Sequence, residues 1–130
     1  MSSALARATE RHMEDFSSEE LANTVWAFTT AGQSNALLFR ALARAAEWCV
    51  GGFNAQELAN TAWAFATAGQ SDASLFRALA RAAEWRVGDF NAQGLANTAW
   101  AFATAGQFDI LLFAALGREA NKRVGDFDTQ

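Results

Sequence analysis

The chain contains no proline and few strand-favouring residues; Ala, Leu, Phe and Trp supply most of its apolar side chains. That argues against a strand-built core and leans toward helix. There is one cysteine, Cys49, which excludes an internal disulfide and makes a reducing compartment the simpler expectation. No apolar run approaches the length that spans a bilayer, so no membrane partner is expected. Positive charge is short as well. Ten Lys and Arg against 14 Asp and Glu give a net charge of −4 and a pI near 4.9, which counts against nucleic-acid binding by bulk charge.

What is present is repetition. LANTAWAFATAG runs from Leu58 to Gly69 and again from Leu95 to Gly106, and a near copy, LANTVWAFTTAG, runs from Leu21 to Gly32. The copies are 37 residues apart, and Phe16, Phe53, Phe90 and Phe127 keep step. Residues 16–52 and 53–89 agree at 28 of 37 positions, and 53–89 and 90–126 agree at 28 again. A fixed period in this range marks a stacked array. The expected organisation is one all-α domain over 1–130: a half repeat 1–15, repeats 16–52, 53–89 and 90–126, and the start of a next repeat at 127–130. Ala4 to Phe16 is in phase with Ala41 to Phe53, which accounts for the opening MSSALARATERHMEDF. That segment also holds Glu10, Glu14 and Asp15, whereas transit peptides are poor in acids, so no targeting segment is expected. Neither end resembles a polar capping repeat. The chain is therefore expected to be a segment of a longer array, or a short uncapped one with ends able to stack on further copies.

Punctuation divides each unit into two helices. Ser17, Asn54, Asn91 and Asp128 follow the repeated Phe and are expected N-caps. Ser17 with Glu20, and Asn54 with Glu57, have capping-box spacing. The first helix should end at Gly32, Gly69 and Gly106, where glycine takes the left-handed conformation. A second cap follows at Ser34 or Asn35, Ser71 or Asp72, and Asp109, and the second helix should run to Gly51, Gly88 and Gly125. Short links make the two helices antiparallel neighbours, and the hairpins stack into an α-solenoid.

On a wheel of about 100° per residue, Leu58, Ala62 and Phe65 make the core stripe of the middle first helix. Ala59, Trp63 and Ala66 make a second apolar stripe, suited to a helix that touches both its partner and the next repeat. Opposite the core stripe stand Gln56, Asn60 and Thr67, with Glu19, Asn23, Thr30 and Gln93, Asn97, Thr104 in the other repeats. Stacking aligns these trios into a polar, largely uncharged strip. On the second helix, Leu75, Phe76, Leu79, Ala82 and Ala83 are expected to be buried, with Arg77, Arg81 and Glu84 opposite, as Arg40, Arg44 and Glu47 are one repeat earlier. All ten Lys and Arg lie in second helices or in the opening half repeat.

Catalysis has little to work with. His12 and Cys49 occupy equivalent positions in adjacent repeats, but Arg86 and Arg123 take that position later. No metal-ligand cluster, phosphate-cradling loop or Ser-His-Asp set is visible, so neither enzymatic activity nor a cofactor is expected. Trp26, Trp63 and Trp100 could stack bases, but their place in the apolar stripe makes core filling their expected role. Trp48 and Trp85 lie near the edge of the second helix. The asparagine strip has two readings. Asn23, Asn60 and Asn97 either face a ligand or form a ladder in which each amide satisfies a backbone group of the next repeat.

FNAQELANTAWAFATAG and LFRALARAAEW resemble the octotricopeptide repeat, a helical hairpin of about this length. Where that repeat carries a Pro-rich stretch before Glu-Trp, this chain has Ala45-Ala46-Glu47-Trp48 and Ala82-Ala83-Glu84-Trp85, and then Glu119-Ala120-Asn121-Lys122. The resemblance covers nearly the whole chain. It implies an α-solenoid that binds single-stranded RNA and acts on chloroplast or mitochondrial transcripts in stabilisation, processing or translation. It further implies kinship with the RAP-domain organelle proteins, FASTK among them, and RNA-facing residues on the first helices: Glu19, Asn23, Thr30, Gln56, Asn60, Thr67, Gln93, Asn97 and Thr104. A protein-interaction scaffold of tetratricopeptide type is the alternative.

Overall fold

The computed structural model describes residues 17–32 and 35–128, with side chains through residue 124. The half repeat over 1–15, with His12, lies outside the described residues. Among the described residues six α-helices follow one another: α1 Ser18–Thr30, α2 Ala36–Cys49, α3 Ala55–Thr67, α4 Ala73–Trp85, α5 Ala92–Thr104 and α6 Ile110–Asp128. No strand occurs among the described residues.

The caps are where the punctuation puts them. Ser17 and Glu20 form a reciprocal box: the Glu20 N–H donates to Ser17 Oγ at 3.1 Å, and the Ser17 N–H donates to the Glu20 carboxylate at 3.0 Å. Accepting that backbone hydrogen bond, and the one from the Ser17 side chain, holds the Glu20 carboxyl below the usual carboxylate range. Asn54 and Glu57 repeat the box at 2.8 and 2.9 Å. In the third repeat Gly94 replaces the glutamate, leaving Asn91 to accept from the Gly94 N–H alone. Gly32, Gly69 and Gly106 close the first helices with φ of 75°, 72° and 71°. Beyond them the Gln70 and Gln107 N–H groups donate to the Phe65 and Phe102 carbonyls, each at 2.9 Å, in Schellman fashion. Asn35, Asp72 and Asp109 cap the second helices, accepting from Leu38, Leu75 and Leu112.

The second helices end earlier than expected. α2 and α4 stop at Cys49 and Trp85, and 3₁₀ turns over Val50–Gly52 and Val87–Asp89 carry the chain into the next repeat. Phe53 and Phe90, 0% and 2% exposed, sit in the core just past these turns and anchor the reversal. The third reversal does not occur. α6 continues through Gly125 to Asp128, so Asp128 is not an N-cap.

α1, α3 and α5 form one row and α2, α4 and α6 the other, with the core between. Leu58, Ala62 and Phe65 are all buried. Edge-to-face phenylalanines join successive repeats: Phe39 of α2 with Phe65 of α3 at 5.6 Å, and Phe76 of α4 with Phe102 of α5 at 5.0 Å. Ala55, Ala59, Ala62 and Ala66 are buried, and α3 packs more closely on α1 and α5 than α4 does on α2 and α6. Thr29, the counterpart of Ala66, donates to the Val25 carbonyl of its own helix at 2.8 Å and comes within 3.4 Å of the Ala64 carbonyl across the first seam. In α4, Ala80 is buried while Ala82 is half-buried against the core.

The outer row carries a repeated ionic link. Arg44 reaches Glu47 at 2.9 Å and also the N-cap carboxylate of Asp72, one repeat on; Arg81 does the same with Glu84 and Asp109. Asp72 thus caps α4 and fastens it to α2. Asp72→Ala should cost about 1–2 kcal/mol, most of it from the lost cap. Asp72→Asn, which keeps the cap and loses only an exposed ion pair, should cost less than about 1 kcal/mol. Urea titrations of the two variants separate these contributions.

Candidate nucleic-acid interface

The Asn-Thr pair inside the apolar run splits between two environments. Thr61 and Thr98 point inward, 0% and 1% exposed, with hydroxyls that have no hydrogen-bond partner. Thr24 of α1, less buried, donates to the Glu20 carbonyl at 2.7 Å. The asparagines point outward: Asn23 is exposed, and Asn60 and Asn97 are half-exposed. Among the described residues none of the three amides bonds another protein group. The structural ladder is therefore not formed.

All nine expected strip residues lie at the surface, but only some converge. Gln56, Asn60, Gln93 and Asn97 line a groove of about 580 Å³ between α3 and α5, within the size range of ligand clefts. Glu19, Asn23, Thr30, Thr67 and Thr104 stand on the same row outside it. Thr30 turns its hydroxyl back onto the Trp26 and Ala27 carbonyls, at 3.0 and 3.1 Å.

The groove also takes in Trp26 and Trp63; Trp63 is half-buried and packs on the core as expected, whereas Trp26 and Trp100 depart from the core role expected of them. Trp26 and Trp100 are 42% and 48% exposed, and Trp63 is partly exposed. The reason is steric. Alanine at the other positions of the stripe brings adjacent first helices too close to admit an indole between them. The rings turn out beside the amides instead, Trp26 and Trp63 lying 4.8 Å apart with planes tilted by 36°. The sequence held a signal for this, since Trp63 is three residues beyond Asn60 and so shares its side of the helix.

The remaining lining comes from the start of α5. Phe90 is buried, Asn91 caps the helix, and Gly94 stands where Glu20 and Glu57 occur in the earlier repeats, so no carboxylate projects from that position. Among the described residues Asp89 is the one charged residue lining the groove, and no Lys or Arg lines it. Neutral amides next to exposed indoles suit flat heterocycles, which stack on the ring faces and hydrogen-bond at their edges. The same surface has nothing to grip phosphates. Among the described residues no group of His, Cys, Asp and Glu could hold a metal ion, and no helix is long and apolar enough to cross a membrane.

The other row presents a different surface. Trp48 and Trp85, left at the edge by the sequence, are 85% and 90% exposed. Arg86 and Arg123, at the position of Cys49, donate back to the Gly51 and Gly88 carbonyls of the preceding repeat, at 3.3 and 3.5 Å. That position ties repeats together.

Compared with known families, residues 2–125 match the model described as RNA-editing substrate-binding complex 6 protein. No curated protein matches the chain at a significant level.

Proposed function

Because the chain belongs to the RNA-editing substrate-binding complex 6 protein family, we propose that it is a single-stranded RNA-binding module that works within a complex holding RNA-editing substrates, by binding and without catalysis. The observation that carries this reading is the groove in which unbonded Asn60, Asn97, Gln56 and Gln93 amides meet the Trp26 and Trp63 rings. Helical-repeat proteins read RNA with two or three side chains per repeat, and stacking on aromatic rings supplies sequence-tolerant affinity. With no cation lining the groove among the described residues, binding should depend only weakly on salt.

The finer assignment, to octotricopeptide-type factors acting on chloroplast or mitochondrial transcripts, rests on the sequence resemblance alone. A protein partner, the alternative of the scaffold reading, is favoured by one observation of its own, the exposed Trp48 and Trp85 on the opposite row. The two readings use different faces of one molecule. Self-association is a third possibility, and Ala92, Ala96, Ala99 and Ala103 of α5 would carry it. These positions are exposed or half-exposed, while their counterparts on α3 are buried against the next repeat.

The test is Asn23, Asn60 and Asn97 replaced together by alanine. Affinity for single-stranded RNA, measured by fluorescence anisotropy, should fall at least tenfold, since each good amide–base pair contributes about 1–3 kcal/mol. Far-UV circular dichroism and melting should hardly change, because the amides bond no other group among the described residues. Wild-type protein that is helical yet binds no RNA at low salt would sink the RNA reading in favour of the scaffold.

A further inference from the structure

Identity among the repeats bears on what the groove takes. An array that reads a varied RNA needs varied side chains, one set per base. Here Gln56 and Gln93 match, Asn60 and Asn97 match, and α1 supplies Asn23 at the same place. The amides are surface groups that bond no other side chain or backbone group among the described residues, which leaves them to meet a ligand. Identical readers at successive positions select identical bases.

Resting on the RNA-binding reading above, we infer that the groove between α3 and α5 recognises tracts of a single base, and that the base is adenine. An amide presents one donor and one acceptor side by side, the complement of adenine N6 and N7. Guanine offers two acceptors on that edge and is read by Arg or Lys, and none lines the groove. The Asp89 carboxylate, the one charge there, can only accept, so it suits an exocyclic amine. Adenine and cytosine have one; uracil does not. Between those two, the double ring of a purine covers more of an indole than a single pyrimidine ring does, and stacking strength sets preference on such surfaces.

The experiment uses the whole chain and labelled 12-nucleotide RNAs: oligo(A), oligo(C), oligo(U) and a mixed sequence, compared by fluorescence anisotropy. Oligo(A) should bind about tenfold or more tighter than the others. The double variant Asn60→Asp, Asn97→Asp, which loses the amide donors, should bring the ratio of oligo(A) to mixed-sequence affinity down toward one, with melting recorded alongside. Equal, saturable binding of all four RNAs would overturn base selection and leave RNA binding standing. Tightest binding of oligo(C) or oligo(U) would overturn the adenine assignment and likewise leave RNA binding intact. If helical protein bound none of the four, the RNA reading itself would fall and this inference with it.

Discussion

Phe65→Ala should lower the stability of the array by about 3–5 kcal/mol, the range for emptying a buried phenylalanine site. Domains of this size hold only about 5–15 kcal/mol in total, so much of the protein should unfold near 37 °C. Phe65 is 0% exposed and lies in the middle repeat, edge-on to Phe39 of the repeat before it. Its loss opens a void at a seam between repeats as well as inside one. Stability in such arrays is approximately a sum of single-repeat contributions and interfaces between neighbours. A weakened central unit therefore leaves outer hairpins that cannot bury their own apolar faces. Phe108, 72% exposed, supplies the contrast: Phe108→Ala should change stability by less than about 1 kcal/mol. Urea unfolding followed by circular dichroism measures both. A Phe65→Ala variant within 1 kcal/mol of wild type would mean that the phenylalanine row does not couple the repeats.

Replacing Trp26 and Trp63 together by alanine should weaken RNA binding by roughly thirtyfold or more, since stacking contributes about 1–3 kcal/mol per base. Both rings line the groove and touch each other, so single substitutions would understate the effect through shared contact. Trp48 and Trp85 form the matched control. They are more exposed than Trp26 but stand on the other row, and replacing that pair should leave RNA affinity unchanged. Anisotropy titrations of the two double variants make the comparison. Were the Trp48/Trp85 variant the one to lose RNA, the interface would lie on the outer helices and the groove would need another occupant.

Much of this architecture was legible in residue order because local chemistry sets it. N-cap oxygens and the glycines with positive φ act within a few residues, and all but Asp128 took their expected places. The outward asparagines were legible for the same reason, since a helical wheel fixes direction. Trp26 and Trp100 were misplaced because a wheel ranks residues by polarity and says nothing of the distance between helices. That distance follows from the alanines on both sides of a seam. Asp89, Phe90 and Gly94 came into the groove from a turn and from the start of α5, where no periodicity marks a face. The long α6 was missed because a glycine inside a helical run weakens it without ending it.

The two rows of helices differ in how tightly they are spaced, and geometry gives that difference a shape. Elements set closer on one side than on the other make an arch, as wedge-shaped stones do, and the tighter side becomes the inner curve. In this chain the wedge is cut by side-chain volume: alanines at 55, 59, 62 and 66 between the first helices, and leucines, phenylalanines and paired arginines among the second. Bending and recognition are consequently set by the same few methyl groups. A bulkier residue at Ala59, which lies at the seam and also lines the groove, would flatten the arch and spread its inner surface, moving the amides of neighbouring repeats apart without touching any of them.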